Sequence, residues 1–293
     1  MPNASHSFKR LVLGLQPSAP DRTMQLAVEL AGLLRLDLLG LFLEDTSVRD
    51  LASIPFAREF RALGGGWQPI DLDRLSHDLE LAARSLERMF TQAAKRLPTR
   101  TQFEVVRGPM AESIAAISRT DDIVMIMEPV SPAERVTQQF FWLTEAAFRS
   151  AAAVMLVPPQ IVRSTGPIVA IAAAPDDPCI AAAAAIAIAA KEELVIIEAD
   201  HNEANDAYVR KLAADTGLTI EQVAAVKGSL PDAAACVQAF RLLRERLVVM
   251  SRGAFNDTAA LAIASARKVP VLVIEPPKLM ADEPVPQTKT AAD

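Results

Sequence analysis

The chain has 293 residues, 51% of them hydrophobic and 23% charged, with a formal net charge of -6. That is the composition of an ordinary globular protein rather than a disordered or fibrous one, and its acidic balance leaves no basic footprint for a nucleic-acid partner. The longest apolar block, Cys179 to Ala190, is mostly alanine and stops at Lys191, short of the ~18 residues of a membrane span, so no membrane partner is expected. The opening MPNASHSFKR lacks the apolar core of a signal peptide, which points to a cytoplasmic protein. Cys179 and Cys236 lie in alanine-rich surroundings and read as buried free thiols. His6, His77 and His201 are far apart in polar contexts, and no metal site follows.

In chain order the elements come as short apolar runs separated by helical stretches, and they come twice. LVLGL at Leu11 returns as IVAIA at Ile168, an offset of 157, and LLGLF at Leu38 returns as LVIIE at Leu194, an offset of 156. VVRGPMAESIAAI then matches AVKGSLPDAAACV with Gly108 on Gly228, an offset of 120. IVMIM at Ile123 matches LVVMS at Leu247 (124), and VMLVPP at Val154 matches VLVIEPP at Val271 (117). Continuous rather than alternating apolar strands imply a parallel sheet covered on both faces, with right-handed crossovers through the helices. The predicted class is therefore α/β, with two tandem open parallel five-stranded sheets and flanking helices.

Residues 1–162 form the first predicted domain and 163–276 the second, while 277–293, rich in proline and polar residues, read as a disordered tail. Asp21 precedes the first helix. Asp71 or Asp73 can cap a long helix with Leu75, Leu79, Ala82, Leu86, Phe90 and Ala93 on one face.

The drop in offset from 156 to 120 leaves about 36 extra residues in the first half, mostly an insertion near 44–73. Its Leu51, Ile54, Phe56, Phe60 and Leu63 run into Gly64, Gly65 and Gly66, which predicts one or two short helices stopped by glycine. The insertion either covers the first domain's own crevice or offers Phe56, Phe60 and Trp67 to a protein partner or a second copy.

The segments LVLGLQPSAPDRTMQLAVELAGLLRLDLLGLF, VVRGPMAESIAAI, IVMIMEP and AAFRSAAAVMLV, matched in the second half by IVAIAAAPDD, AVKGSLPDAAA, VVMSRGAFNDT and KVPVLVIEPP, resemble the universal stress protein family over nearly the whole chain. ATP-binding members of that family have an Asp ending strand one, a Gly after strand three, and a Gly-x-x-Gly-x9-Gly-Ser/Thr loop after strand four. Such glycines let main-chain N–H groups approach phosphate oxygens.

The resemblance implies loss of this site in the first half. Strand one ends in Gln16, Gly108 is kept, and Phe141 and Trp142 stand where the family has Gly-Ser. The second half keeps Ser251, Arg252 and Gly253 but has Met250 for the first glycine. Asp176, Gly228, Ser251, Gly253 and Thr258 could form an altered small-ligand pocket, with Ser251 and Arg252 touching phosphate. The competing reading takes them as turn residues, with Asp177 capping a helix.

Two functions stay open. The first is a non-enzymatic tandem protein, stress-related or regulatory, acting without a cofactor through association or a small ligand. The second is an ATP-binding protein with one residual site in the second half and slow hydrolysis. Of the acidic pairs an enzyme would need, Glu44 and Asp45 follow strand two at the crevice end, whereas Asp121 and Asp122 read as a solvated turn. Family members pair edge to edge through their last strands, and here the two halves can do so with each other.

Overall fold

The computed structural model describes residues 8–15, 21–46, 50, 53–54, 56–61, 66–108, 110–129, 138–150, 152–172, 174, 177–198, 203–224, 233–252 and 257–275. In chain order the first half holds β1 (Arg10–Leu15), α1 (Asp21–Leu34), β2 (Asp37–Asp45), β3 (Arg58–Arg61), β4 (Gly66–Pro69), α2 (Leu72–Ala94), β5 (Thr101–Gly108), α3 (Met110–Ile117), β6 (Asp122–Met127), α4 (Gln138–Arg149) and β7 (Ala153–Val157). The second half holds β8 (Ile168–Ala172), α5 (Pro178–Ala190), β9 (Leu194–Glu198), α6 (Glu203–Thr216), β10 (Ile220–Ala224), α7 (Ala233–Ala239), β11 (Leu247–Ser251), α8 (Asp257–Arg267) and β12 (Val271–Ile274).

The strands form one ten-stranded sheet in the order β10-β9-β8-β11-β12-β7-β6-β1-β2-β5, not two separate sheets. Within each half the pairing is parallel and the strand order is the same. The halves join where β12 pairs antiparallel with β7, with Leu272 opposite Met155. Both strands are buried throughout, and an unpaired row of N–H and C=O groups at that depth is costly. Pairing the two edges satisfies both. The strands of the two halves consequently run in opposite directions.

Alternation along each strand sends side chains to two cores. Leu11, Leu13, Ile168 and Ala170 belong to the face covered by α1, α2, α5 and α6, whereas Val12, Val169 and Ile171 belong to the face covered by α3, α4, α7 and α8. Asp71 caps α2, accepting from the N–H groups of Asp73 and Arg74 at 3.1 Å each. The buried stripe of α2 is Ala83, Leu86, Phe90 and Ala94, with Leu79 and Ala93 packed beside it. Phe140 is buried on the second face. Phe141 and Trp142 are the fourth and fifth residues of α4, their side chains outside the described residues. Both cysteines are free and buried. The tail, Asp45's side chain and Gly64–Gly65 also fall outside the description.

Two expectations need correcting. The insertion is helical at Thr46, Asp50 and Ser53, as expected, but where a second helix could have run up to the glycines, Arg58–Arg61 and Gly66–Pro69 pair as antiparallel strands with Phe60 opposite Trp67. The ring centroids are 5.4 Å apart, a cross-strand aromatic pair that favours a hairpin over a helix. Phe60, Trp67 and Phe56 are all exposed, so these rings do not cover a crevice.

Asp122, read as part of a solvated turn, is 1% exposed. The β1–β6 register sets it beside Arg10, whose Nε and Nη2 donate to its carboxylate at 3.0 and 2.6 Å. That hydrogen bond raises the Arg10 pKa. Only Asp121 fits the turn reading: it pairs with Lys9 at 2.8 Å, and this bond lowers its pKa.

Candidate functional site

Parallel α/β sheets bind ligands at the carboxyl ends of their strands. Because the halves run oppositely, the two crevices open at opposite ends of the sheet and cannot merge. Gly108, at the end of β5, belongs to the first; Ser251, at the end of β11, belongs to the second.

In the second crevice Asp177 caps α5, accepting from the Cys179 N–H at 2.9 Å. Ser251 Oγ donates a short hydrogen bond to the same carboxylate oxygen, and Cys179 Sγ donates to the Ile171 carbonyl at 3.3 Å. All three residues are buried. The cluster forms because the β8–β11 pairing brings the end of β11 beside the turn that opens α5. Burial, reinforced by Asp177, pushes the Cys179 thiol well above its ordinary range.

A thiol reagent at pH 8 should therefore leave both cysteines of the folded chain unmodified and label both after denaturation. A raised thiol pKa also means that stability is fully present below the unfolded thiol's value of about 8.5 and falls as pH rises beyond it, because only the unfolded chain ionises. Rapid labelling of Cys179 in the folded chain would contradict this burial.

Arg252, one residue beyond β11, turns away from the crevice. Its Nη1 meets Glu275 at 2.5 Å and the Ser150 carbonyl at 3.2 Å, and its Nη2 meets the Ala152 carbonyl at 3.3 Å. The guanidinium also lies 5.6 Å over the Phe148 ring. Thr258 is exposed in the first turn of α8. Asp176, Gly228 and Gly253 lie outside the described residues. Of the proposed pocket, then, the structure brings Ser251 to the crevice, joins it to Asp177, and places Arg252 elsewhere.

Sequence reasoning missed a reciprocal arrangement at the seam. Glu128, one residue beyond β6, corresponds to Arg252 at the same offset of 124 that relates β6 to β11. The main-chain N–H of each donates to the last strand of its own half, Glu128 to Val157 at 2.8 Å and Arg252 to Ile274 at 2.7 Å. Each side chain then crosses to the other half. Ser265 Oγ of α8 is 2.8 and 2.7 Å from the two carboxylate oxygens of Glu128, while Arg252 covers Phe148 of α4. Phe148 and Ser265 themselves correspond at the offset of 117. The matched offsets were the signal that could have exposed this clamp.

Glu44 is likewise held, by Arg107 Nε at 2.8 Å, since the β2–β5 register sets the two side by side. This bond raises the Arg107 pKa. Among the described residues no group of three or more His, Cys, Asp or Glu is placed to hold a metal ion. No described helix is long and apolar enough to cross a membrane. An open cavity of about 660 Å³ lined by Gly166, Pro167, Ile188, Lys191 and Thr219 lies at the amino ends of β8 and β9, the opposite end from the crevice.

No protein-family model and no curated protein matches the sequence. Solved structures do match its fold. A universal stress protein from Archaeoglobus fulgidus DSM 4304 superposes with a TM-score of 0.63 at 12% identity, covering 94% of this chain and 98% of that one. A functionally unknown protein from Pseudomonas aeruginosa PAO1 gives 0.52 at 16% identity, covering 94% and 95%. A protein from Pseudomonas aeruginosa UCBPP-PA14, provisionally named a universal stress protein, gives 0.53 at 16% identity with the same coverage. Ten strands in two identically ordered halves, matched end to end by these structures, give the chain the fold of the universal stress proteins.

Proposed function

We infer that the chain is a tandem universal-stress-type protein, with domains at 1–162 and 163–276, that serves stress response or regulation without turnover. In this reading it is cytoplasmic and acts by association, with itself or with a partner at the 44–73 insertion, or by binding a small ligand. The nucleotide site of the first half is lost.

The observation that carries this reading is the fate of the two side chains best suited to a phosphate. Ser251 donates to Asp177, and Arg252 is held by Glu275 and two carbonyls of the other half. A buried carboxylate in the crevice repels phosphate oxygens, and the Arg252 guanidinium faces the seam instead. These residues do not fit a triphosphate. In the first half, the family's Gly-Ser position holds Phe141 and Trp142, and any side chain there denies phosphate the close main-chain approach that glycine allows.

The alternative, one residual ATP site in the second half, draws on the position of Ser251 and Asp177 at a helix amino terminus in the usual crevice. Thermal unfolding with millimolar ATP and magnesium separates the two. A ligand at a hundred times its dissociation constant should add about 2.7 kcal/mol of stability, a shift of roughly 4–5 °C for a chain of this size. We expect no shift; a saturable one that disappears in Ser251→Ala would establish the alternative.

A further inference from the structure

The sheet ends on one long open edge. β5 has eight residues and, among the described residues, pairs only with β2; the strand at the other end, β10, has five. An open edge presents unpaired main-chain groups that another strand can use, and proteins usually block it with lysine, proline or a covering element. The sequence TQFEVVRG contains neither residue, and its Arg107, paired with Glu44 of the neighbouring strand, keeps its side chain 56% exposed and within reach of a partner. Val105 is 45% exposed on this strand. Behind it, α2 packs against β5 and leaves Leu81 exposed, and the hairpin leading into α2 exposes Phe60 and Trp67. Exposed apolar side chains thus stand on the edge strand, on the helix behind it and on the strand pair leading into that helix, and apolar surface of this kind is a mark of association when it is clustered.

We propose that this edge is the interface between two copies of the chain, β5 pairing antiparallel with β5 of the second copy about a twofold axis at Val105. Residues directly opposite in an antiparallel pair share a face of the sheet, so a twofold axis normal to the sheet must pass through a residue position of β5. An axis at Glu104 would set two carboxylates against each other. An axis at Val105 brings Val105 onto its own copy and sets Phe103 against Arg107 of the second copy twice, a guanidinium–ring contact. One sequence thus supplies both sides of every contact, as a twofold interface requires. The chain already joins edges in this way internally, where the corresponding strands β7 and β12 pair antiparallel.

This inference deepens the reading of the chain as one that acts by association, and it does not depend on the second crevice. Sedimentation of the full chain over a range of concentrations tests it, with two variants. Wild type should dimerise, and Val105→Lys, which opposes two cations across the axis, should weaken the dimer about tenfold or more. Val105→Cys should form a disulfide-linked dimer on mild oxidation, because Cys179 and Cys236 are buried. Val105 is exposed on an edge, so circular dichroism should report an unchanged fold in both variants.

A wild type that stays monomeric at roughly 100 μM, where micromolar dimers are well populated, overturns the proposal. A dimer indifferent to Val105→Lys and not cross-linked through Val105→Cys overturns it too, while leaving association through another surface standing.

Discussion

Replacing Glu245 with alanine should destabilise the chain by about 3–5 kcal/mol, because it removes one partner of a buried ion pair and leaves the other charge uncompensated. Glu245 is 0% exposed. Its carboxylate takes Arg267 Nε at 2.6 Å and Nη2 at 2.9 Å, and the same Nη2 donates to the carbonyls of Phe240 and Leu243 at 2.9 and 3.0 Å. Arg163, from the link between the halves, approaches Glu245 at 3.7 Å and bonds the Arg267 carbonyl at 3.4 Å. The hydrogen bonds that Arg267 donates to Glu245 raise the Arg267 pKa, and a guanidinium left without that partner still keeps its charge.

Urea unfolding should show the lower midpoint. Glu245→Gln, which keeps an acceptor, should cost less than Glu245→Ala. The double replacement by apolar residues of similar volume should recover much of the loss, since such a pair is often replaceable without penalty. A Glu245→Ala variant within about 0.5 kcal/mol of wild type, the range of an ordinary surface change, would contradict the burial of this pair.

Gly166→Ala should cost about 3 kcal/mol or more, through steric conflict rather than lost charge. Gly166 has a φ of +127°, and a Cβ there would stand 2.1 Å from the Arg244 carbonyl oxygen. No heavy atom tolerates that approach, so the 244–246 segment must move, taking with it the bond from the Arg246 N–H to the Pro167 carbonyl at 3.0 Å. Gly217→Ala is the control: its φ of +68° disfavours a side chain, but nothing lies within 4 Å of the added carbon. That variant should lose only the ~1–2 kcal/mol of a left-handed residue. Equal midpoints for the two variants would remove the steric argument.

Much of the architecture was legible because its signals are local. The apolar runs of β1, β6, β8 and β11 are contiguous in sequence, and Asp71 and Asp177 cap helices that begin one residue later. The insertion misled in part because a glycine run stops a helix and separates strands equally well, and the deciding contact, Phe60 against Trp67, joins residues seven positions apart. Asp122 misled because a pair of aspartates before a strand looks solvated until the strand register places Arg10 alongside. The candidate site was half legible. The motif pointed to Ser251, which stands at the crevice end of its strand, but its bond to Asp177 was not foreseen, and Arg252, read with it, has its partners across the seam.

The amino-acid sequence by itself determined that this would be a twice-repeated α/β chain with strands buried on both faces, because strand and helix periodicity need only neighbouring residues. Tertiary structure decided that the halves share one sheet and that Arg252 faces the seam. Those outcomes depend on contacts such as Arg252 to Ser150 and Ser265 to Glu128, between positions 102 and 137 residues apart. No local pattern encodes such pairs; they exist only once edge strands have paired to satisfy their main-chain groups and brought the two halves within reach of each other.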